Sequence, residues 1–236
     1  FKNTFTLDTV VLTNATSFIE IASEAFASSG LSSVTLPKSV VTLGAMAFDN
    51  AFRLNTVIIP EDSQLKSIGE FAFAWNTSVT TYSIPQSVES IADNAFYGNA
   101  SLVAINVSSE NSHYDSNDGI LYSENQSKLI IYPEAITKAS FTLPTEVTTI
   151  AEFAFRNSQF DTIDLSNTNL EEIGRYAFIG NINLTDLTLP NTLISVDEGI
   201  INSSNINLNG INVFTPTDSW HEQWNQSDIV PTVVNE

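Results

Sequence analysis

The stretch Ile91-Ala92-Asp93-Asn94-Ala95-Phe96, "IADNAF", decides how the chain is read, because it has close copies. "IASEAF" closes at Phe26, "LGAMAF" at Phe48, "IGEFAF" at Phe73, "IAEFAF" at Phe155 and "IGRYAF" at Phe178. A catalytic motif need occur only once. A phrase repeated along the whole chain is a structural unit, so repeats are sought before anything else.

Aligned on the final aromatic residue, the phrases are separated by 22, 25, 23, 59 and 23 residues, and Ile201 continues the series in the degraded form "VDEGII". An apolar residue stands five before every anchor, at Ile21, Leu43, Ile68, Ile91, Ile150, Ile173 and Val196. A second phrase, apolar-x-x-apolar-x-apolar, lies between anchors: "LSSVTLP" from Leu31, "LNTVIIP" from Leu54, "VTTYSIP" from Val79, "LVAINVS" from Leu102, "FDTIDLS" from Phe160, "LTDLTLP" from Leu184 and "LNGINVF" from Leu208. Its last positions alternate as a half-buried strand does, and proline or serine ends it. Each unit of about 23 residues therefore holds one strand, a turn, a short extended or 3₁₀-like piece carrying the anchor, and a return turn. One coil cannot bury its own apolar face, but a stack of coils can. Parallel strands about 4.8 Å apart would put eight to ten coils in a curved rod on the order of 40–50 Å long.

Composition narrows the function classes. The chain has 236 residues, 42% of them hydrophobic, and a mean hydropathy of +0.04, which suits a sizeable core. Lys and Arg number 8 against 27 Asp and Glu, a formal charge of −19. That balance repels a phosphate backbone and an anionic membrane surface, so neither nucleic acid nor membrane insertion is expected. Cysteine is absent, which removes disulfides, thiolate catalysis and cysteine zinc sites. No run nears the ~18 apolar residues of a membrane span. No basic, apolar leader opens the sequence, so an exported form is expected without its signal peptide here.

The gap of 59 is one period plus an irregular stretch from Asn111 to Pro144. Ile120–Tyr122 and Leu129–Tyr132 read as two strands around "SENQSK", a hairpin inside a modified coil. Glu110, His113, Asp115 and Asp118 are the best candidate cation ligands, but they lack calcium-loop spacing, and an Asp-Gly turn is the preferred reading. Asn50, Asn76, Asn99, Asn157 and Asn181 recur two or three residues past the anchor and read as turn chemistry. N-x-S/T sequons stand at Asn14, Asn76, Asn99, Asn106, Asn125, Asn183, Asn202 and Asn225. The expected organisation is a single domain over 1–236. Residues 1–17 would form a partial coil without an anchor, 18–214 the repeats with the hairpin-bearing coil at about 108–144, and 215–236 a cap. In that cap Asp218 or Ser219 would start a short helix with Trp220 and Trp224 on one face, either covering the last coil or offering a carbohydrate platform.

The alternating "LxxVTLPxSV" and "IGxxAFxxN" phrases resemble the leucine-rich repeats of bacterial BspA-type surface proteins, from about Phe18 to Phe214. The segment "DGILYSENQSKLIIYP" resembles a hairpin-bearing variant coil of that family, and Asn99 stands where the family phrase often has cysteine. The resemblance implies a β-rich leucine-rich repeat solenoid, α/β by class convention, with parallel strands on a concave face and short 3₁₀ or extended pieces on the convex side. It also implies a non-enzymatic extracellular or cell-surface protein, monomeric, with a protein or glycan partner on a host or neighbouring cell and no cofactor.

On such a fold the outward strand positions form a candidate ribbon: Ser33 and Thr35, Thr56 and Ile58, Thr81 and Ser83, Ala104 and Asn106, Thr162 and Asp164, Asp186 and Thr188, then Gly210 and Asn212. Asp164 and Asp186 come from consecutive coils and are expected close together. A second candidate is the residue before each "AF", where Phe71, Phe153 and Tyr176 could form an aromatic patch, with local packing the preferred reading. The leading function is adhesion or protein binding, and the alternative is a spacer within a larger surface protein. Carbohydrate binding ranks below both. Catalysis ranks lower still: His113 and His221 are the two histidines, and no G-x-S-x-G or H-E-x-x-H occurs, although acidic pairs leave a glycosidase arrangement open.

Overall fold

The computed structural model describes residues 1–12, 15–138, 141–213 and 220–233. Asn14, Asp218 and Ser219 lie outside the described residues. The chain forms two compact units: Phe1–Glu124 with Pro133–Ala135, and Asn125–Tyr132 with Ile136–Glu236. Both are stacks of short parallel strands and turns, and the only helical piece among the described residues is a 3₁₀ turn at Glu124–Gln126.

In the first unit the two-residue strands Glu20–Ile21, Thr42–Leu43, Ser67–Ile68 and Ser90–Ile91 pair in parallel in that order. Their second residue, the apolar one five before each anchor, is buried, and their first is polar and more open. Across each coil stand longer strands, Ser33–Thr35 paired with Thr56–Ile58 and Thr81–Ile84 paired with Ala104–Val107. The second unit repeats the plan. Lys128–Ile131, Thr149–Ile150, Glu172–Ile173 and Ser195–Val196 pair in parallel on one side. Thr162–Asp164, Asp186–Thr188, Gly210–Val213 and Thr232–Val233 do so on the other.

The "AF" segments are turns whose backbone donors alternate. Ala25, Ala27 and Ser29 donate to residues three earlier in their own coil, while Glu24, Phe26 and Ser28 donate to Ala45, Ala47 and Asp49 of the next coil. Such alternation requires a backbone that reverses hand. Positive φ recurs two before the anchor, at Glu24, Met46, Phe71, Phe153, Tyr176 and Gly199, and two after it, at Ser28, Asn50, Trp75, Gly98, Asn157 and Gly180. The anchor ring between them points inward. Phe26, Phe48, Phe73 and Phe96 stack at 5.1, 5.5 and 5.8 Å between centroids, nearly coplanar. Stacking of this kind contributes about 0.5–1.5 kcal/mol per pair beyond the area buried. The preceding alanines, among them Ala47, Ala72, Ala95 and Ala177, are fully buried and leave the rings room.

The asparagines past the anchor do two different jobs. Those two residues on, Asn50 and Asn157, hold left-handed backbone. Those three residues on, Asn76, Asn99 and Asn181, are buried and bridge coils. The Asn76 amide donates to the carbonyls of Phe48 and Phe73, Asn99 to those of Phe73 and Phe96, and Asn181 to those of Phe155 and Phe178. A buried carbonyl left bare would cost about 1–3 kcal/mol, so the ladder of amides is a principal fastening between coils. The sequons at Asn76 and Asn99 are thus occupied by packing.

Two expectations require correction, on the first coil and on the terminal helix, and the irregular stretch gains a feature. The first coil does have an anchor: Phe1 stacks on Phe26 at 5.4 Å and 9°. The irregular stretch has one too: Tyr132 stacks on Phe155 at 5.5 Å and 25°, and its N–H donates to the Ala154 carbonyl. The end of the chain takes no helix among residues 220–233. Trp220 instead bridges Val196 in parallel, Trp224 N–H bonds the His221 carbonyl, and Asn225–Gln226 pairs with Ile201–Asn202. These residues form a further coil in which Trp220 takes the place of the usual isoleucine. The Trp220 and Trp224 rings still meet, edge to face at 5.3 Å.

The irregular stretch also holds a strand that sequence reading missed. Tyr114–Asn117 pairs antiparallel with Ile120–Ser123 across Asp118 and Gly119, whose φ values of 53° and 82° make the primed turn that Asp-Gly favours. Both strands expected around "SENQSK" are present, as Ile120–Ser123 and Lys128–Ile131.

Candidate functional site

The outward strand positions fall into ordered rows because parallel pairing keeps them in register. In the first unit Ser33 lies opposite Thr56 and Thr35 opposite Ile58, while Thr81 lies opposite Ala104 and Ser83 opposite Asn106. In the second, Thr162, Asp186 and Gly210 form one row, and Asp164, Thr188 and Asn212 the other. The residues between them, such as Val34, Tyr82, Ile105, Leu187 and Ile211, are buried, so alternation alone points the named side chains outward. Ile58 is half exposed on this face.

Asp164 and Asp186 are offset by two residues instead of directly opposed, because the register sets each carboxylate across from a threonine. Each has a local donor: Ser166 N–H to Asp164 at 2.9 Å and the Thr185 hydroxyl to Asp186 at 2.8 Å. The Asn212 amide reaches the Thr188 hydroxyl at 3.3 Å. The first unit's face is therefore neutral and hydroxyl-rich, and the second unit's face is anionic. Ala104 is half-buried, since Gly119 of the hairpin comes down on it and accepts the Ile105 N–H. The hairpin thereby ends the open rows of the first unit at Ala104–Val107.

Glu110, His113, Asp115 and Asp118 do not converge. Among the described residues no three His, Asp or Glu side chains gather at a point suited to a metal ion. Asp115 accepts the Ser116 N–H, and His113 Nδ1 sits 3.2 Å from the Ser112 hydroxyl. A cleft of about 340 Å³ is lined by Ala15, Thr16, Lys38, Ser39, Asp62 and Gln64, with Lys38 paired to Asp62, and it includes none of the strand-face positions.

The expected aromatic patch divides between the units. Phe153 and Tyr176 stack at 5.6 Å, with the Arg175 guanidinium 5.9 Å from the Tyr176 ring. Phe71 belongs to the first unit, where it meets Tyr97 edge-on at 5.8 Å. Trp75, edge-on to the same Tyr97 at 5.2 Å, does not stand out in the sequence. Its signal is positional: it lies two after an anchor, a place held by Ser, Asn or Gly in the other regular coils.

Six copies of a family model described as the BspA type leucine rich repeat region match residues 1–118 and 132–222. No curated protein matches the chain. Among known structures it is similar to the pneumococcal vaccine antigen PcpA, with 27% identity and a TM-score of 0.77 over 82% of this chain and 53% of that one. It is similar to a leucine-rich cell surface protein of Faecalibacterium prausnitzii A2-165, with 24% identity and a TM-score of 0.59 over 80% of this chain and 58% of that one. A leucine-rich repeat protein of Eubacterium ventriosum ATCC 27560 matches at 19% identity and a TM-score of 0.57, over 89% and 81% of the two chains. At these identities the last two bear on the fold alone. The chain spans just over half the length of the first two.

Proposed function

The chain belongs to the BspA-type leucine-rich repeat family, and from that premise we propose that it is a non-enzymatic, extracellular protein-binding or adhesion module that engages its partner through the strand faces. The observation that carries this reading is the register. In each unit, rows of mostly small polar side chains are held at fixed spacing on parallel strands, offering an ordered surface to a partner. That the similar pneumococcal protein is described as a vaccine antigen supports a location outside the cell. No helix among the described residues is long and apolar enough to cross a membrane. The partner is a protein or a glycan on a host or neighbouring cell, and the anionic second face favours one with basic groups.

The test is binding to immobilised matrix proteins, glycans and whole bacterial and epithelial cells. The unaltered chain would be compared with Thr56→Lys plus Thr81→Lys in the first unit and Asp164→Lys plus Asp186→Lys in the second. At least one pair should weaken binding by about tenfold or more, roughly 1.4 kcal/mol, with circular dichroism unchanged. Binding indifferent to both pairs would exclude the strand faces as the contact surface. A spacer role is the second reading, favoured by the lack of Trp, Tyr and Arg at the outward positions, the residue types that dominate tight interfaces. It predicts no binding across the panel by a folded chain.

A further inference from the structure

The turns that carry the anchors present a second surface, built differently from the strand faces. In each coil the residues two before, one after and two after the anchor lie beside their counterparts in the next coil, because the ladder sets them there. Met46 N–H bonds the Glu70 carbonyl, Asn50 N–H that of Ala74, and Trp75 N–H that of Tyr97, all at 2.8 Å. Four successive coils of the first unit therefore form a grid. Its members are Glu24, then Met46, Asp49 and Asn50, then Phe71 and Trp75, then Tyr97 and Gly98.

The aromatic part of this grid is rigid. Tyr97 packs against both Phe71 and Trp75, with interplanar angles of 83° and 80°. The indole of Trp75 lies against the backbone of Gly98, where φ is +73° and an added Cβ would come within 2.7 Å of the ring. One side of the indole is thus seated on bare backbone, while Trp75 remains 42% exposed. Met46, in the column of Phe71, is 40% exposed. A flexible thioether beside fixed rings is interface chemistry, and such residues are enriched where proteins meet.

One carboxylate of the grid lacks a partner. Asp49 is half-buried, and its carboxylate makes no hydrogen bond or ion pair among the described residues. Its neighbour Glu24 has the same sign and is already engaged by Lys2. Burial first, and Glu24 second, push the Asp49 carboxyl above the usual aspartate range, as befits an anion held without compensation. Glu70, also exposed, adds a third carboxylate at the next coil.

We propose that this turn face of the first unit is a docking surface for an arginine-bearing segment of a partner protein, with a guanidinium laid on Trp75 and others paired to the carboxylates of Asp49 and Glu70. The chemistry selects that occupant. A ring face carries negative quadrupole and attracts a cation. Guanidinium is planar, stacks on indole and forks two donors onto a carboxylate, which ammonium does less well. A neutral sugar would stack on the indole but leave the carboxylates uncompensated. An acidic segment or an anionic bilayer would be repelled by a chain with 27 acidic and 8 basic residues. This surface is separate from the strand faces, so either site can fail while the other stands.

Trp75 supplies its own readout. The chain has 3 tryptophans, so Trp220→Phe with Trp224→Phe leaves Trp75 as the sole tryptophan, read by excitation at wavelengths tyrosine does not absorb. The probe is the peptide Gly-Arg-Gly-Arg-Gly, with Gly-Glu-Gly-Glu-Gly and hexameric N-acetylglucosamine as comparisons. The arginine peptide should shift Trp75 emission saturably at low ionic strength. Asp49→Asn should weaken the peptide about tenfold. Glu171→Gln, an equal charge change in the second unit, should leave it unchanged. If the double phenylalanine variant folds poorly, calorimetry on the chain with both terminal tryptophans intact replaces emission, and Trp75→Ala and Asp49→Asn should each weaken the heat of binding. An absent or unsaturable response would overturn the proposal, as would equal weakening by Asp49→Asn and Glu171→Gln, which marks unspecific attraction. A response to the sugar in place of the peptide would also overturn it.

Discussion

Tyr132 carries a hydroxyl into a position that phenylalanine holds in other coils. Its ring packs against Phe141, Phe155 and Phe160, and its hydroxyl is buried with no hydrogen bond among the described residues. Burial pushes the phenol up to about 12. Tyr132→Phe should therefore raise stability by about 1 kcal/mol, read as a higher urea midpoint at unchanged slope, because it deletes an unsatisfied polar group and keeps the ring. The pH dependence has a definite sign. The folded chain holds the phenolic proton more tightly than the unfolded chain, so stability from this group is intact below about 10 and is lost as pH rises toward 12. The variant should lose less stability across that window, and a midpoint that falls on Tyr132→Phe would show that the hydroxyl has an unrecognised partner. This anchor is hard to read from sequence because "LIIYPEA" has neither the alanine before the ring nor the isoleucine five before it. Only the distance of 23 residues to Phe155 marks it, as a distance of 25 to Phe26 marks Phe1.

Among elements, the hairpin Tyr114–Asn117 and Ile120–Ser123 closes ladders that the regular coils leave open. The Tyr114 hydroxyl accepts the Ile91 N–H at 2.7 Å, where another two-residue strand would otherwise pair with Ser90–Ile91. The Asn111 amide donates to the carbonyls of Pro85 and Val88, and the Ser116 hydroxyl accepts the Val107 N–H. An edge blunted in this way does not template a further strand. Asn111→Ala and Tyr114→Phe should each lower stability by about 1–2 kcal/mol in urea unfolding. Losses below a few tenths would mean that water serves these groups as well. The Asp118-Gly119 turn is legible in the sequence because that pair favours positive φ at both positions. The strand before it is not, since Tyr-Asp-Ser-Asn has little of the β-branched character that marks strands. Trp220 and Trp224 mislead for a related reason: a spacing of four fits one helical face, but the 24 residues from Ile201 to Asn225 match the coil period better.

At the scale of the whole chain, the repeat settles the fold because each coil states the same pattern of inward residues, and agreement between coils outweighs weak local propensity. The candidate site is less legible. Small polar residues at outward strand positions are what solvent demands of any half-exposed sheet, so composition there carries little information about a ligand. Charge is more informative. With a formal charge of −19, both the acidic rows at Asp164 and Asp186 and the turn face at Asp49 favour basic partners, and such binding should weaken with salt. The central claim is that, within each unit, a coil is fastened to the next through its anchor's own backbone. Site-resolved amide hydrogen exchange on the full chain tests it most directly. The N–H groups of Phe26, Phe48, Phe73, Tyr132, Phe155 and Phe178, each donating to the coil that follows, should exchange slowly as one periodic set. Fast exchange at Tyr132 alone would remove the irregular coil from the stack, and fast exchange at all six would contradict the ladder itself.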